Sequence, residues 1–387
     1  MLSIFHRTKR KVDNSQTIAD LKRLAKKNVP RATFDFVEGG AQREISYARS
    51  TAAFSNLQLN VSISKNFSAV DTSTKIFGRK VDLPIIFAPT GYTRFMYHVG
   101  EPAVAAVAEA NNMIYCLSTM GTTSPDELAT AVPGVRRWFQ LYMMRNREDS
   151  LRTLKVAREN GFETLVVTVD TPVAAYRPRD IRNGLTIPPH LGIRTIAQVI
   201  AKPRWWLNLI TTKRLEFAAF RGWNKPMADI ASYLFDPSMT FEDARWLKSV
   251  WEGPIIIKGI QSVPDAIMCK EIGLDGVILS NHGGRQLDRG TVPLELLPKV
   301  VEAVGPDFDV YVDGAVMSGE DVYGAIACGA KGVLIGRSYL YGIMAGGQYG
   351  VQRAVDILRQ ELIRTMRFCG AGTLQDAQTL GARIRES

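Results

Sequence analysis

The sequence predicts an α/β fold, a (β/α)8 TIM barrel with one long insertion between its fourth and fifth strands. Three observations predict it. Eight short apolar runs recur along the 387 residues, most of them followed by a segment of helical periodicity. Each run ends in a polar or charged residue, the register in which a barrel assembles its active face. The spacing is that of one βα unit except between Val169 and Pro254, where the gap is about three times too long.

The predicted strands are Pro84–Ala88, Met113–Leu117, Arg137–Leu141, Thr164–Val169, Pro254–Ile257, Gly276–Leu279, Asp309–Val312 and Gly332–Ile335. Between them, Glu101–Asn111, Glu148–Asn160 and Ser318–Cys328 carry helical periodicity with cap or stop signals. A helical lead-in occupies residues 1–80. Its opening helix, from about Gln16 to Asn28, lies before the barrel and is expected to close the barrel's bottom or edge. The insertion is placed at about 185–253, and the whole chain, 1–387, reads as a single domain. The polar strand ends are Thr90, Ser118, Gln140 with Tyr142, Thr168 with Asp170, Lys258, Ser280 with His282, Asp313, and Arg337.

Composition narrows the function classes. An apolar fraction of 46% and a charged fraction of 22% are those of a soluble globular protein. No apolar run reaches the ~18 residues that span a bilayer. Lys9, Arg10 and Lys11 are not followed by an apolar core, so the start does not read as a secretory signal. Cys116, Cys269, Cys328 and Cys369 are scattered, without CxxC spacing, and read as reduced and structural. His6, His98, His190 and His282 are equally dispersed, and no metal site is expected. The net charge of +10 comes largely from one segment: Arg194, Lys202, Arg204, Lys213, Arg214, Arg221 and Lys225 stand against Glu216 alone between Leu185 and Pro226. No nucleic-acid motif accompanies it, and no nucleic-acid partner is expected.

The richest stretch is Ser280-Asn281-His282-Gly283-Gly284-Arg285-Gln286-Leu287-Asp288, directly after the strand Gly276–Leu279. His282 is a base-capable imidazole. Arg285 can clamp a carboxylate through two parallel hydrogen bonds. The paired glycines let backbone approach a flat ligand closely. Asp170 is placed to orient the imidazole of His282 and to stabilise its cation. Arg177 offers a second carboxylate ligand, with a surface arginine as the alternative. Lys258 suits developing negative charge; a Schiff-base lysine or a plain ion pair are its alternatives. Asp313-Gly314 and Gly336-Arg337 end strands seven and eight, where barrel loops commonly hold a phosphate. No GxGxxG follows a strand, so a Rossmann dinucleotide site is not supported.

These residues resemble the FMN-dependent L-2-hydroxy-acid oxidases and dehydrogenases along nearly the whole chain. The resemblance is carried by Phe87-Ala88-Pro89-Thr90-Gly91, Leu117-Ser118-Thr119, Phe139-Gln140-Leu141-Tyr142, Thr168-Val169-Asp170-Thr171-Pro172, Ile257-Lys258-Gly259, the Ser280–Asp288 run and Ile335-Gly336-Arg337. Pro203-Arg204-Trp205-Trp206 and Phe235-Asp236-Pro237-Ser238 look most like the respiratory, membrane-associated L-lactate dehydrogenases of that family. The resemblance implies FMN in contact with Ala88, Pro89, Thr90, Ser118, Gln140, Thr168, Lys258 and Ser280, its phosphate near Asp313, Gly314, Gly336 and Arg337. It implies His282 as base, Asp170 as its partner, Arg177 and Arg285 as carboxylate ligands, and Tyr142 as a hydroxyl donor to the substrate. Lys258 would stabilise the reduced flavin.

Three positions depart from the family pattern. Phe36 stands where a tyrosine usually donates to the substrate carboxylate, a charge-assisted bond worth roughly 1.5–3 kcal/mol. Met317 stands where many members carry an arginine near the phosphate, and Met120 where some carry a tryptophan. The expected activity is oxidation of an L-2-hydroxy acid, L-lactate favoured, with electrons passed to a quinone or to O2. Phe36 opens an alternative: a member recruited to oxidise an unusual hydroxy or amino acid in a biosynthetic pathway. Family analogy implies a homo-oligomer, a tetramer. The basic segment, with Trp205, Trp206, Phe217, Phe220 and Trp223, is expected to dock on an anionic membrane, which places the protein in the cytoplasm, peripheral on the inner face of the plasma membrane. The alternative is a soluble lid whose aromatics pack inward.

Overall fold

A computed structural model describes residues 2–63, 68–185, 190, 192–221, 233 and 235–385, the side chains of 2–7 excepted. Its centre is a closed barrel of eight parallel strands: β1 (Ile85–Phe87), β2 (Ile114–Ser118), β3 (Arg136–Leu141), β4 (Thr164–Thr168), β5 (Ile255–Ile260), β6 (Gly276–Leu279), β7 (Asp309–Asp313) and β8 (Gly332–Ile335). Each pairs with the next, and β8 closes on β1 through Val333–Ile85 and Ile335–Phe87. The apolar runs are continuous because both faces are buried. Alternate residues divide between two cores. Ile86, Ile114, Cys116, Trp138, Val166, Ile256, Ile278, Tyr311 and Leu334 fill the barrel interior. Their neighbours, such as Phe87, Tyr115, Phe139, Val167 and Ile257, pack outward under the helices.

The helices expected between strands are present as Gly100–Ala110, Arg147–Glu159 and Gly319–Ala327. The helix expected at Gln16–Asn28 is Ile18–Asn28, preceded by another helix, Leu2–Asp13, and started by a capping box between Thr17 and Asp20. It does not close the bottom of the barrel. It packs on the long Arg337–Cys369 helix that follows β8. The bottom is closed instead by the hairpin Thr74–Ile76/Arg79–Val81, whose Ile76 and Val81 join the interior core and whose Phe77 packs on Trp138. Arg136 secures the plug by donating to the carbonyl of Ile76 at 3.0 Å. The chain ends are tied together, Leu57–Leu59 pairing antiparallel with Ala382–Ile384.

The segment placed at 185–253 ends differently from the expectation. Its last part is the helix Phe241–Val250, capped by Thr240 and Asp243, with Ala244 and Leu247 buried. It stands directly before β5 and serves as an ordinary barrel helix, so the added structure lies N-terminal to it. That added structure includes two short helices, Ile193–Ile200 and Pro203–Ile210, and a turn at Ala218–Phe220. Trp223 lies outside the described residues.

Candidate active site

The C-terminal mouth of the barrel gathers the polar strand ends. At the exit of β6 the backbone runs through three successive left-handed residues, His282 (φ 58°), Gly283 (φ 62°) and Gly284 (φ 71°). A Cβ on Gly284 would come within 2.6 Å of the Tyr47 backbone, and one on Gly283 within 2.7 Å of the Arg337 guanidinium. Only glycine fits either place, whereas His282 is held in a conformation unusual for a side-chain-bearing residue. Asn281 ties the loop, accepting from the Gly284 N–H at 3.0 Å and donating to Ser50 at 3.0 Å.

This turn brings His282 to Asp170, 112 residues away, with Nδ1 and Oδ1 2.8 Å apart. Asp170 is buried while His282 is partly open to the mouth. Gly259 on β5 makes room for the pair, since a Cβ there would meet the Asp170 Cβ at 2.6 Å. An Asp170 carboxylate that accepts from Nδ1–H leaves Nε2 as the proton-accepting nitrogen.

Below them lies a buried ion pair. Lys258 Nζ is 2.6 Å from Asp313 Oδ2, and Ser280 Oγ bridges both, accepting from Lys258 at 3.0 Å and donating to Asp313 at 2.7 Å. Burial opposes both charges, yet their mutual attraction prevails: Asp313 is held below the usual carboxylate range and Lys258 above the usual amine range. The Asp313 side chain is therefore the counter-ion of Lys258.

Around the same mouth, Ser118 is in register with Gln140 and Thr168 with Lys258. Ser118 Oγ donates to Gln140 Oε1 at 2.9 Å. Gln140 Nε2 and Thr168 Oγ1 are buried without a protein partner. A buried donor left unpaired costs about 1–3 kcal/mol, so two of them on neighbouring strands of the mouth mark where a polar ligand belongs. The edge of a flavin ring, which carries both carbonyl oxygens and an N–H, suits this pair. Thr90 bonds the hydroxyl of Tyr339, which also donates to the carbonyl of Ala88 at 3.2 Å, fixing the Ala88-Pro89-Thr90 turn.

The arginines form a second group. Arg285 donates to the carbonyls of Phe36 at 2.6 Å and Gly39 at 2.9 Å. Its guanidinium carbon stands 5.2 Å from the centre of the Phe36 ring, and that of Arg177 stands 5.4 Å from the same ring. Phe36 is thus a π platform shared by the two predicted carboxylate ligands. Arg177 is anchored by Asp180 at 3.0 Å. Burial, then the nearby charges of Arg177 and Arg337, push Arg285 well below the usual guanidinium range. Asp180 supplies the compensating negative charge, and burial in turn raises its own pKa. The two arginines are left short of negative charge. Tyr142 is buried in the same field, its hydroxyl pKa raised by burial and by Asp170 and lowered by both arginines.

Arg337, expected near the phosphate, is also bound to protein. It spends most of its donors on backbone, reaching the carbonyls of Val37 at 2.9 Å, Gly283 at 2.8 Å and Gly39 at 3.0 Å, and it stacks on Tyr47. It joins the Arg31–Glu38 helix of the lead-in to the His282 loop. Met317 is partly buried, its sulfur 3.6 Å from Ser338 Oγ.

The insertion packs inward with its aromatics. Trp205 donates to the carbonyl of Phe95 at 3.1 Å and meets the Phe95 ring edge-on, while Phe95 in turn meets Phe36 edge-on. Phe217 packs on Tyr92, and Phe220 is buried with Tyr142 and Met144. These rings do not face a membrane interface, as the sequence suggested. The outward face is aliphatic: Ile193 is 88% exposed, Ile200 66% and Ile210 68%, with Ile196 and Leu207 beside them.

Sequence reasoning missed Asn281, Asp180 and Phe95. It also missed Asp288, whose carboxylate accepts from the backbone N–H groups of Ser46 at 2.8 Å and Arg43 at 3.1 Å. Asp288 was visible only as the end of a motif, and the others carried no pattern of their own.

Comparison with known proteins gives the family. A family model described as FMN-dependent dehydrogenase matches residues 25–382. A Mycobacterium tuberculosis relative is 45% identical over 372 residues, covering 96% of this chain and 90% of that protein. The L-lactate dehydrogenase of Caulobacter sp. is 37% identical over 362 residues, covering 92% and 95%. Among solved structures, the monotopic membrane protein (S)-mandelate dehydrogenase superposes with a TM-score of 0.92 at 30% identity, covering 96% of this chain and all of that one.

Proposed function

The chain belongs to the FMN-dependent dehydrogenases, and from that premise we propose that the groups at its barrel mouth oxidise an L-2-hydroxy acid, L-lactate favoured, to the 2-oxo acid. The observation that carries the reading is the pairing of the His282–Asp170 dyad with a half-buried arginine group short of negative charge. Arg177 and Arg285 bind the substrate carboxylate, and Tyr142 donates to the substrate. Bound FMN supplies the acceptor for the two electrons that leave C2. His282 Nε2 takes a proton from the substrate, and Asp170, bonded to Nδ1, stabilises the imidazolium that results. Gln140, Thr168, Ser118 and Ser280 would hold the flavin ring, together with Ala88, Pro89 and Thr90. Lys258, kept charged by Asp313, sets a cation beside it. Gly314 and Gly336 leave backbone free to approach the phosphate, with Arg337 bracing that side. The whole chain acts as one FMN-binding unit.

Among the described residues no helix is long and apolar enough to cross a membrane. We infer peripheral attachment through the outward face of the two insertion helices. Ile193, Ile196 and Ile200 share one side of a helix, Leu207 and Ile210 one side of the next, flanked by Arg194, Lys202, Arg204, Lys213 and Arg214. Trp205 and Phe95 connect that face to the active site, which favours a membrane quinone as electron acceptor. Anaerobic mixing with a panel of 2-hydroxy acids, followed by a quinone analogue or O2, tests the whole reading. Flavin bleaching by L-lactate and reoxidation by the quinone are expected; no bleaching by any acid refutes it.

Phe36 favours a second reading, an enzyme whose natural substrate is a different hydroxy or amino acid. Bleaching by a larger acid with none by lactate is its signature.

A further inference from the structure

On the outer side of the Arg31–Glu38 helix lies an open cleft of about 550 Å³. Its walls carry five cations, Lys22, Arg23, Lys26, Arg31 and Arg179, against two carboxylates, Asp35 and Glu38. The carboxylates are already engaged: Lys22 meets Glu38 at 2.6 Å and Arg31 meets Asp35 at 3.3 Å. Arg179 turns mainly to Glu44, at 2.6 Å. Lys26 stands over the Phe34 ring at 5.9 Å. Arg23 is held by Asp20, which leaves Lys26 as the lining cation with no carboxylate partner among the described residues. The cleft is therefore a ring of engaged cations with a small excess of positive charge at Lys26, and neither the family chemistry nor the barrel mouth uses it.

Its position shows what the charge is for. The Ile193–Ile200 helix packs against the Arg31–Glu38 helix. Thr195 of the former donates to the Asn183 carbonyl at 3.0 Å, and Asn183 donates to Asp35 at 2.9 Å. Lys202, between the two insertion helices, bonds the Lys27 carbonyl at the end of the Ile18–Asn28 helix. The cleft thus opens beside the exposed aliphatic face. A bilayer that receives Ile193 and Ile200 therefore meets the protein next to the helices that carry Lys26 and Arg31.

We propose that this cleft binds the phosphate headgroup of an anionic phospholipid. The proposal rests on the membrane reading above and adds to it a specific anion site. The geometry favours a lipid over a free phosphate. The cations are spread on an open wall and most are exposed, so each attracts an anion weakly, and a lipid, whose tails add apolar contact with the bilayer, gains more residence there than a free phosphate does.

The test uses the FMN-loaded enzyme and vesicles of phosphatidylcholine with and without phosphatidylglycerol, read by co-sedimentation. Lys26→Glu/Arg31→Glu is compared with Lys155→Glu/Lys299→Glu, the same charge change on two other barrel helices; flavin absorbance and Tm check that both fold. The cleft variant is expected to lose roughly tenfold or more of its affinity for phosphatidylglycerol vesicles, the control within about twofold of the parent, and phosphatidylcholine binding to stay unchanged. Equal losses in cleft and control variants overturn the proposal, because net charge alone then explains the binding. Equal competition by soluble glycerophosphate, lost in the cleft variant while vesicle binding persists, also overturns it in favour of a free phosphate. An Ile193→Ser/Ile200→Ser variant separates the two readings. If it binds phosphatidylglycerol vesicles as the parent does while the cleft variant does not, the aliphatic anchor falls and the headgroup site stands. A parent that binds no vesicles refutes both, leaving flavin reduction by substrate as an independent measure of the enzyme.

Discussion

Phe36→Leu removes a π face from between two guanidiniums and leaves the backbone carbonyl that accepts from Arg285 in place. A cation over an aromatic ring is worth about 0.5–1 kcal/mol when exposed and about 2 when desolvated. The site is half-buried, so about 1 kcal/mol for each arginine is a fair value, and about 2 kcal/mol in all corresponds to roughly a 30-fold change. Because the ring orients carboxylate ligands and not the base, the loss belongs in substrate binding. The limiting rate of flavin reduction should stay near the parent's, since the 2.8 Å His282–Asp170 bond is untouched. Phe36→Tyr keeps the face and adds a hydroxyl able to reach the carboxylate; a charge-assisted bond of about 1.5–3 kcal/mol predicts roughly 10–150-fold tighter binding of L-lactate. Anaerobic stopped-flow mixing across lactate concentrations separates Kd from the limiting rate. A leucine variant with Kd within about twofold of the parent refutes the platform role. A tyrosine variant that slows reduction without tightening binding favours the second reading of the substrate.

His282→Gln should retain its flavin and reduce it roughly 10²–10⁴-fold more slowly, the usual contribution of a general base, as single-turnover bleaching will show. Asp170→Asn should approach the same loss, because an amide donating to Nδ1 leaves the proton on Nε2 and removes the acceptor; a rate near the parent's would exclude this orientation. Lys258→Met strands the buried Asp313 charge and should lower stability by about 3–5 kcal/mol in denaturant titration, with partial recovery in Lys258→Met/Asp313→Asn. Glu127 holds Arg221 at 2.8 Å and Lys213 at 2.7 Å, tying the end of the insertion to the Pro125–Ala131 helix. Partial burial opposes its charge, but those two bonds outweigh it and bring its pKa down from 4.5 to about 2. A lowered folded-state pKa gives stabilisation that is full above 4.5 and lost as pH falls toward 2, so proteolysis of the insertion should accelerate over that window and lose its pH dependence in Glu127→Gln.

The barrel was legible because each strand is buried on both faces, so its residues form an unbroken apolar run with a polar stop. The stops in turn gave His282, Asp170, Lys258 and Ser280, whose meeting follows from barrel closure alone. Contacts made by elements outside the barrel were not legible. Arg337 read as a residue of the phosphate side because it follows β8; that it also donates to Val37, Gly39 and Gly283 was not legible, since nothing in the sequence states that the lead-in docks there. The same docking places Phe36 between Arg177 and Arg285. The insertion misled for a different reason. Aromatic and aliphatic residues both read as apolar, and over helices of eight residues the periodicity does not say which side faces the protein. Trp205 and Phe220 went inward because rings fill the space above the mouth, leaving isoleucines outside. The hairpin Thr74–Val81 was absorbed into a helical lead-in because each of its strands has only three residues, too few for an alternation to register.

The Arg31–Glu38 helix is where these strands of argument meet. Its last turn and the residues just beyond it give carbonyls to Arg285 and Arg337, and Phe36 gives its ring to Arg285 and Arg177. Its opposite side gives Arg31 and Asp35 to the basic cleft. The insertion helix Ile193–Ile200 rests on it. One short helix outside the barrel therefore touches the proposed carboxylate ligands, the proposed headgroup site and the element proposed to face the membrane at once. A tyrosine at position 36 would commit it to a direct bond with the substrate. Phenylalanine makes it a positioning surface, so any displacement of the helix reaches the substrate through two arginines and not through one hydroxyl. That arrangement makes substrate affinity, more than the rate of chemistry, the quantity that membrane attachment can alter.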